Sequence, residues 1–143
     1  MMTKRINKDD YYLNIARAVS RRSTCLRRQY GAVIVKNDEI IATGYNGAPR
    51  GEENCCDKGF CPRTHMAHNS GDYSDCPAVH AEQNAMLSAP RKEMIGAKLY
   101  LAGYELKGDE WVPIPDKETS PCPICGRMIK NAGLICVTDS DSI

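Results

Sequence analysis

Two short motifs, far apart along the chain, constrain its fold more than any other feature. The first, His-Ala-Glu, covers residues 80–82, and the second, Pro-Cys-Pro-Ile-Cys, covers residues 121–125. Together they supply one imidazole and two thiolates, and they leave the fourth tetrahedral position of a Zn²⁺ ion open. Three protein ligands with one open position are typical of catalytic zinc, whereas structural zinc is normally closed by four ligands. The sequence therefore predicts a fold that brings His80, Cys122 and Cys125 together around a catalytic zinc ion.

Glu82 has a separate predicted role, because a carboxylate matches the preference of zinc for nitrogen and sulfur less well than the other three residues. Zinc lowers the pKa of a bound water to about 7, and a carboxylate beside that water can transfer its proton. The non-enzymatic alternative is a zinc-stabilised interaction module, since Cys-x-x-Cys pairs are common in structural zinc sites. Glu82 argues against that alternative, because a structural module has no use for a carboxylate next to an open zinc position.

Length and composition predict one α/β domain over residues 1–143, long enough for a hydrophobic core but not for two. No apolar run approaches the ~20 residues of a membrane span, and the first residues do not resemble a signal peptide. We therefore expect a cytoplasmic protein without a membrane partner. In a reducing compartment the eight cysteines are better interpreted as metal ligands than as disulfides.

Charge is distributed unevenly although the formal net charge is only +1. Residues 1–28 contain eight Lys or Arg and two Asp, which gives +6 and leaves −5 for the remainder. A local basic cluster suits a small phosphorylated ligand, whereas a protein that binds polymeric nucleic acid is more often basic overall. The simpler alternative is that part of this charge is a solvated helix face.

Hydrophobic periodicity predicts helices that alternate with strands. The first predicted helix, 8–21, is capped by Asn7 and has an apolar stripe at Tyr12, Ile15, Ala16 and Val19. The second covers residues 77–88. The third is capped by Ser120, begins at Pro121 and ends at Gly133, and its buried residues are Ile124, Met128, Ile129 and Ala132. The predicted strands are 30–35 and 39–43, joined by a turn at residues 37–38; 98–102; a hairpin at 104–115; and 134–138. Residues 52–79 show no period. This order predicts a three-layer α/β/α sandwich with a mixed central sheet.

The two motifs resemble the zinc-dependent nucleobase deaminases, whose signature is H-x-E followed by P-C-x-x-C. Ser-Thr-Cys-Leu-Arg-Arg at 23–28, Gly-Ala-Val-Ile-Val at 31–35, Thr-Gly-Tyr-Asn-Gly-Ala-Pro at 43–49 and Ala-Val-His-Ala-Glu-Gln-Asn-Ala at 78–85 extend this resemblance. Within the cytidine and deoxycytidylate deaminase superfamily, the chain is most similar to the dCMP deaminases. The resemblance implies that a zinc-activated hydroxide attacks C4 of the cytosine in dCMP and that Glu82 shuttles the proton, yielding dUMP and ammonia.

The same resemblance implies a substrate site and partners. Asn46 would hydrogen-bond the deoxyribose hydroxyl, Arg27 or Arg28 would hold the 5′-phosphate, and Ala81 would complete the site. The alternative for Asn46 is a turn residue, because Asn before Gly is common in turns. Resemblance also implies a homo-oligomer, often a hexamer, with dCTP and dTTP as effectors. Deamination of free nucleosides, guanine or tRNA adenosine on the same fold remains an alternative.

Two segments distinguish this chain within that resemblance. Gly103–Ser120 separates the third predicted strand from the second motif, where dCMP deaminases usually have a few residues; we call it the 103–120 insertion. The cysteine-rich 52–79 loop suggests a second, structural zinc. Its predicted ligands are four cysteines, with His68 as an alternative to one of them and Cys56 as the spare: Cys25, Cys55, Cys61 and Cys76. Small buried thiols in a reduced protein are the other interpretation.

Overall fold

The computed structural model describes residues 4–62 and 76–139. The helices are α1 (Lys8–Ser20), α2 (Cys55–Lys58), α3 (Ala81–Leu87), α4 (Arg91–Met94) and α5 (Pro123–Ala132), with a short 3₁₀ helix at Asp116–Glu118. The strands are β1 (Arg28–Lys36), β2 (Glu39–Tyr45), β3 (Lys98–Lys107), β4 (Glu110–Pro113) and β5 (Ile135–Val137). In this part of the chain no helix is long and apolar enough to cross a bilayer.

The described strands form one mixed sheet. Strands β2, β1, β3 and β4 pair antiparallel in that order, and β5 pairs parallel with the first half of β3. Strand β3 therefore shares its outer edge between β5 and β4. The predicted turn between β1 and β2 is confirmed, since Asn37 and Asp38 both have positive φ, at 51° and 63°, as a two-residue hairpin of right-handed twist requires.

Helices cover both faces of the sheet. One face packs against α1, and the other packs against α3, α4 and α5. Because successive residues of a strand point to opposite faces, Ala32 and Ile34 belong to one core while Val33 and Val35 belong to the other. Burial on both faces explains why β1 is almost continuously hydrophobic. The predicted three-layer α/β/α fold is confirmed.

Several predicted helix boundaries are wrong. Helix α3 begins at Ala81 instead of residue 77, and α5 begins at Pro123 with Cys122, not Ser120, as its N-cap. The second motif contains two prolines, and either could occupy the first position of the helix. Pro123 occupies it, because the Cys122 sulfur accepts the backbone N–H of Cys125 at 3.4 Å and so makes Cys122 the N-cap. Helix α1, its Asn7 cap and the end of α5 at Gly133 agree with prediction.

Other differences concern which residues are buried. Ile124 and Met128 were predicted to be buried but are exposed, at 57% and 38%. Cys125 is buried on α5 in their place. Helices α2 and α4 were not predicted, because a four-residue helix carries too little periodicity to be recognised. The strand predicted at 98–102 and the first arm of the predicted hairpin are one continuous strand, β3.

Gly44 brings α3 close to the sheet. A Cβ at this position would lie 2.4 Å from the Ala85 nitrogen and 2.5 Å from the Ala81 oxygen, both backbone atoms. The absence of a side chain therefore allows the first turn of α3 to lie directly on β2. That turn carries Glu82 and follows His80, so this contact places half of the predicted metal site.

Candidate metal centre and pocket

His80, Cys122 and Cys125 lie together, as predicted. Their donor atoms are all within 4.8 Å of one another, and among the described residues they are the one group of at least three His, Cys, Asp or Glu that meets this distance. The His80 Nδ1 atom lies 3.2 Å from the Cys125 sulfur and 3.5 Å from the Cys122 sulfur.

These separations fit a tetrahedral zinc ion. With zinc 2.0–2.3 Å from each ligand, tetrahedral angles give ligand-to-ligand distances of about 3.5 Å. Both cysteines are at the start of α5 and His80 is the N-cap of α3, so all three ligands lie at helix N-termini. The residues present therefore suit a zinc ion with three protein ligands.

Two features besides its position near a helix N-terminus affect the ionisation of the buried Cys125 thiol. Burial raises the pKa of the Cys125 thiol, and the nearby Glu82 carboxylate raises this pKa further. A divalent cation bound to the sulfur reverses that balance, because it favours the thiolate strongly.

Glu82 lies beside the metal ligands and is almost fully buried, at 4% exposure. Burial raises the pKa of its carboxyl group, while the charge on His80 and a hydrogen bond from the Cys125 thiol act in the opposite direction. A carboxyl group whose pKa is raised toward neutrality is suited to accept and return a proton at physiological pH.

The residues before α3 are tied to the loop after β2. Gly47 and Val79 form an isolated antiparallel bridge with N–O distances of 3.1 and 2.7 Å. The side-chain amide of Asn84 also donates to the Tyr45 carbonyl at 2.8 Å. Consequently Asn46, one residue before the bridge, is held at a fixed place relative to His80, one residue after it.

A cavity of about 700 Å³, including its open mouth, adjoins the metal ligands. Its lining includes all four predicted substrate residues, Arg27, Arg28, Asn46 and Ala81. The metal ligands and the basic residues therefore face one cavity, which is the arrangement a phosphorylated substrate would need.

The Asn46 amide is part of the framework of this cavity. It accepts the Tyr30 backbone N–H at 2.8 Å and donates to the Arg28 carbonyl at 2.9 Å, so it pairs with β1 as a strand would. Asn46 is 7% exposed. The turn interpretation is therefore incomplete, because the side chain contributes a structural pairing at the edge of the cavity.

Three of the eight basic residues in the predicted cluster contact the 103–120 insertion. The Arg17 guanidinium donates to Asp116 at 2.8 Å, and Arg21 stacks 4.7 Å above the Tyr104 ring. Arg28 donates to Glu105 at 2.9 Å. The insertion thus pairs with or covers three of these positive charges, including that of Arg28.

The four cysteines of the predicted second zinc site are neighbours in the structure. Burial raises the pKa of Cys25 and of Cys55, and charges on the neighbouring cysteines add to this effect in both. The backbone N–H of Cys56 donates to the Thr24 carbonyl at 3.1 Å, which fixes α2 beside residue 25. The alternative ligand His68 lies outside the described residues.

Sequence reasoning missed two polar residues of the cavity wall and a carboxylate that contacts the wall. Tyr30 and Ser120 line the cavity, and Glu105 contacts it through Arg28. A tyrosine inside an otherwise aliphatic strand was the one available signal for Tyr30. Nothing local indicated Glu105, because its role depends on the register that places it opposite Arg28 across β1 and β3.

Comparison with known families agrees with this geometry. Residues 6–138 match the family described as "Cytidine and deoxycytidylate deaminase zinc-binding region". A deoxycytidylate deaminase of Mycobacterium phage D29 is 39% identical over 132 residues, covering 88% of each protein. That of Schizosaccharomyces pombe is 38% identical over 129 residues, and there the chain spans only 34% of the relative's length.

A solved structure has the same architecture. The crystal structure of dCMP deaminase from the cyanophage S-TIM5, in complex with dCMP and dUMP, superposes with a TM-score of 0.58 at 28% sequence identity. The match covers 91% of this chain and 79% of the other. The predicted cytidine deaminase-like fold is confirmed by this likeness.

Proposed function

The chain belongs to the cytidine and deoxycytidylate deaminase family, and we propose that it hydrolyses dCMP to dUMP and ammonia as a single zinc-dependent domain over residues 1–143. The observation that carries this proposal is the buried Glu82 carboxyl beside three zinc-type ligands, a group that no fourth His, Cys, Asp or Glu of residues 4–62 and 76–139 joins. The named activity of the D29 relative, which the chain matches over 88% of its length, supports the choice of dCMP.

In this proposal His80, Cys122 and Cys125 hold the zinc, which supplies a water of lowered pKa when bound. Glu82 would take one proton from the attacking water and deliver it to the ring nitrogen, and would then carry the remaining hydroxyl proton to the amine, which departs as ammonia while the oxygen stays on C4 as the carbonyl. Its burial keeps bulk water from exchanging that proton. The overall reaction consumes one water, breaks the C4–N bond and releases ammonia, so atoms and charge balance.

The substrate side of the site rests on residues around the same cavity. Arg27 or Arg28 would hold the 5′-phosphate, since a guanidinium can make planar bidentate contacts with phosphate oxygens. Asn46 would contact the deoxyribose, and the buried Ala81 backbone would contact the base. Lining of one cavity by all four residues supports this assignment.

The deciding experiment is ammonia release by the zinc-loaded protein from dCMP, deoxycytidine, CMP, dCTP and guanine, measured side by side. We expect dCMP to exceed deoxycytidine in kcat/KM by roughly 10- to 100-fold, because a charge-assisted contact contributes about 1.5–3 kcal/mol. Equal values for the two would favour a nucleoside deaminase. No ammonia from any substrate, with zinc bound, would favour the interaction module instead.

We also propose a second, structural zinc on Cys25, Cys55, Cys61 and Cys76, with His68 as the alternative ligand. The neighbouring cysteines contribute to the raised pKa of Cys25 and of Cys55, so the four side chains lie near one another, which supports the proposal. Elemental analysis tests the proposal: two zinc ions per chain, falling to one in Cys55→Ser, is the expected result. The exposed Cys56→Ser is the matched control and should keep both ions. One zinc in a fully active wild-type chain would contradict the site.

Regulation and assembly follow the family resemblance. We propose a cytoplasmic homo-oligomer, with a hexamer as the expected form and dCTP and dTTP as effectors. Exposed large hydrophobic residues on the outer helices support an assembly, notably Leu87 at 78% and Ile124 at 57%. Light scattering with and without each nucleotide would measure the mass; a monomer under all conditions would contradict this proposal.

A further inference from the structure

Tyr30 contributes an aromatic ring to the cavity wall, and a glycine on the neighbouring strand makes room for it. Across β1 and β3, Tyr30 lies directly opposite Gly103, the first residue of the 103–120 insertion. A Cβ at Gly103 would lie 2.9 Å from Cδ1 of Tyr30 and 2.2 Å from the Gln29 carbonyl oxygen. The Tyr30 ring therefore occupies space that a side chain at position 103 would otherwise take, and it lies directly on β3.

The far end of the Tyr30 side chain is also held in place. Its hydroxyl accepts a hydrogen bond from the Arg28 guanidinium at 2.9 Å, and Arg28 donates in turn to the Glu105 carboxylate at 2.9 Å. The ring packs against the core that lies between the sheet and α3. Because protein interiors are densely packed, a ring fixed at both ends cannot move aside easily for a ligand. Tyr30 is thus a rigid part of the cavity wall.

Asn46 flanks Tyr30 on the side opposite Gly103. The Asn46 side chain accepts the Tyr30 backbone N–H at 2.8 Å, and the Asn46 backbone N–H donates to the Tyr30 carbonyl at 3.4 Å. Both residues line the cavity, as does Glu82. The Asn46 amide uses one N–H and one lone pair for β1 and keeps one of each for a ligand. A sugar hydroxyl bound by Asn46 would therefore be bound beside the Tyr30 ring.

We propose that the Tyr30 ring selects deoxyribose over ribose by filling the space that a 2′-hydroxyl would need. This inference rests on the proposed deamination of dCMP and on the proposed contact of Asn46 with the sugar. The free sugar hydroxyl of dCMP is on C3′, and C2′ is bonded directly to that carbon. A fixed ring beside Asn46 therefore lies next to C2′, where an added oxygen would overlap the ring and would lose its hydrogen bonds to water. Tyr30 is in this way a specificity-determining residue.

Removal of the ring provides a direct test. Tyr30→Val keeps a β-branched residue that suits a strand but opens the space beside Asn46. In the zinc-loaded protein, the ratio of kcat/KM for dCMP to kcat/KM for CMP should fall about 10- to 100-fold relative to the wild type, because an overlap with the added oxygen is relieved. The fall should come mainly from a gain with CMP. The Ki of CMP as a competitor of dCMP should decrease in the same variant, which measures binding separately from the chemical step.

Tyr30→Phe separates the ring from the hydroxyl. Both Tyr30 variants release Arg28 from the phenol oxygen, but only the phenylalanine keeps the ring. Tyr30→Phe should therefore keep the wild-type ratio of dCMP to CMP activity. A loss of preference in Tyr30→Phe as large as that in Tyr30→Val would assign the selection to the hydroxyl and overturn the inference.

Tyr45→Val is the matched control on the neighbouring strand. Tyr45 is 38% exposed and is absent from the part of the cavity lining that the structure describes. It lies opposite Gly31, whose missing side chain would point at the Ala16 backbone in α1, so Tyr45 is on the face away from the cavity. The same substitution there should leave the ratio unchanged. A wild-type ratio in a folded Tyr30→Val protein would overturn the inference; if that variant does not fold, Tyr30→Leu should show a smaller fall, and no fall there would also overturn it.

This test can fail independently of the proposed function. A wild-type protein that does not deaminate dCMP would contradict the function. A wild-type protein that deaminates dCMP and CMP equally well, or one whose preference for dCMP survives removal of the Tyr30 ring, would contradict only the role of Tyr30.

Discussion

The two sides of the cavity are built in different ways. The metal side uses three ligands from two short motifs, each placed at the beginning of a helix. Another part of the cavity wall is formed by Arg28 and Tyr30, and Arg28 meets Glu105 across two strands only because of the strand register. The first side is defined by spacing along the chain, and the second is defined by long-range pairing.

This difference separates the chemistry from the selectivity. The metal ligands and Glu82 need a geometry that a few local contacts supply, including the His80 N-cap position and the close approach of Gly44 to α3. The Arg28 wall instead depends on the 103–120 insertion, whose Glu105 carboxylate accepts a hydrogen bond from the Arg28 guanidinium. Changes on the metal side should therefore reduce turnover, whereas changes in the wall should alter substrate preference or stability.

The largest expected effect is in Glu82→Gln. Because Glu82 is expected to serve several proton transfers, its replacement should lower kcat by ~10²–10⁴-fold or more while zinc remains bound. Zinc content and ammonia release should be measured on the same preparation. The exposed Glu118→Gln is a control that should leave both unchanged; an active, zinc-loaded Glu82→Gln protein would contradict the mechanism.

That contrast also explains what could be predicted from sequence. The residues 80–82 and 121–125 revealed the metal ligands because zinc chemistry restricts both residue type and spacing. The alternation of helices and strands gave the three layers. The start of α5 was predicted at Pro121 and lies at Pro123, because either proline can begin a helix. The pairing of Arg28 with Glu105 was not predicted, because no local pattern encodes the register of β1 against β3.

A second prediction concerns the support of the metal side. Gly44→Ala places a methyl group within 2.5 Å of two backbone atoms in α3, so the helix must shift. We expect a destabilisation of about 1–3 kcal/mol from overpacking, measured by urea unfolding, with reduced turnover because His80 and Glu82 move with α3. Gly126→Ala is the control: it has open space within α5 and should be neutral or stabilising by roughly 0.5–1 kcal/mol. Equal stability of the Gly44 and Gly126 variants would contradict the role of the close approach.

The third prediction concerns the attachment of the wall. Asp116→Asn removes the counter-charge of Arg17, whose side chain is 20% exposed. We expect a loss of about 1 kcal/mol in the free energy of unfolding, as for a partly solvated ion pair, and a smaller difference from wild type at high salt. Thermal unfolding at low and high NaCl measures both. A salt-independent difference would indicate lost packing instead of lost charge.

The smallest effect is expected from a substitution on the sheet face away from the cavity. A change in stability there should leave substrate preference unchanged. The Tyr12 hydroxyl donates to the Asp38 carbonyl at 3.1 Å and to its carboxylate, and this hydrogen bond, with burial, raises the pKa of Tyr12 to about 12. A phenol whose pKa is raised on folding stabilises the folded state fully below the ordinary pKa of about 10. That contribution is lost as pH rises through the interval from about 10 to about 12, because the ionised oxygen cannot donate and repels Asp38.

Tyr12→Phe should therefore be less stable than wild type at neutral pH, and the difference should shrink between pH 10 and 12. Thermal unfolding over that range measures the effect, and the difference between the two proteins removes the contribution of other groups that titrate there. Tyr11→Phe is the matched control, since Tyr11 is 49% exposed on the same helix, and it should show no such convergence. The ratio of dCMP to deoxycytidine activity should be the same in both variants, because Tyr12 packs against Tyr100 on the face opposite α3. A Tyr12→Phe protein with altered substrate preference would show that the two faces are coupled, and the assignment of selectivity to the cavity wall alone would then be wrong.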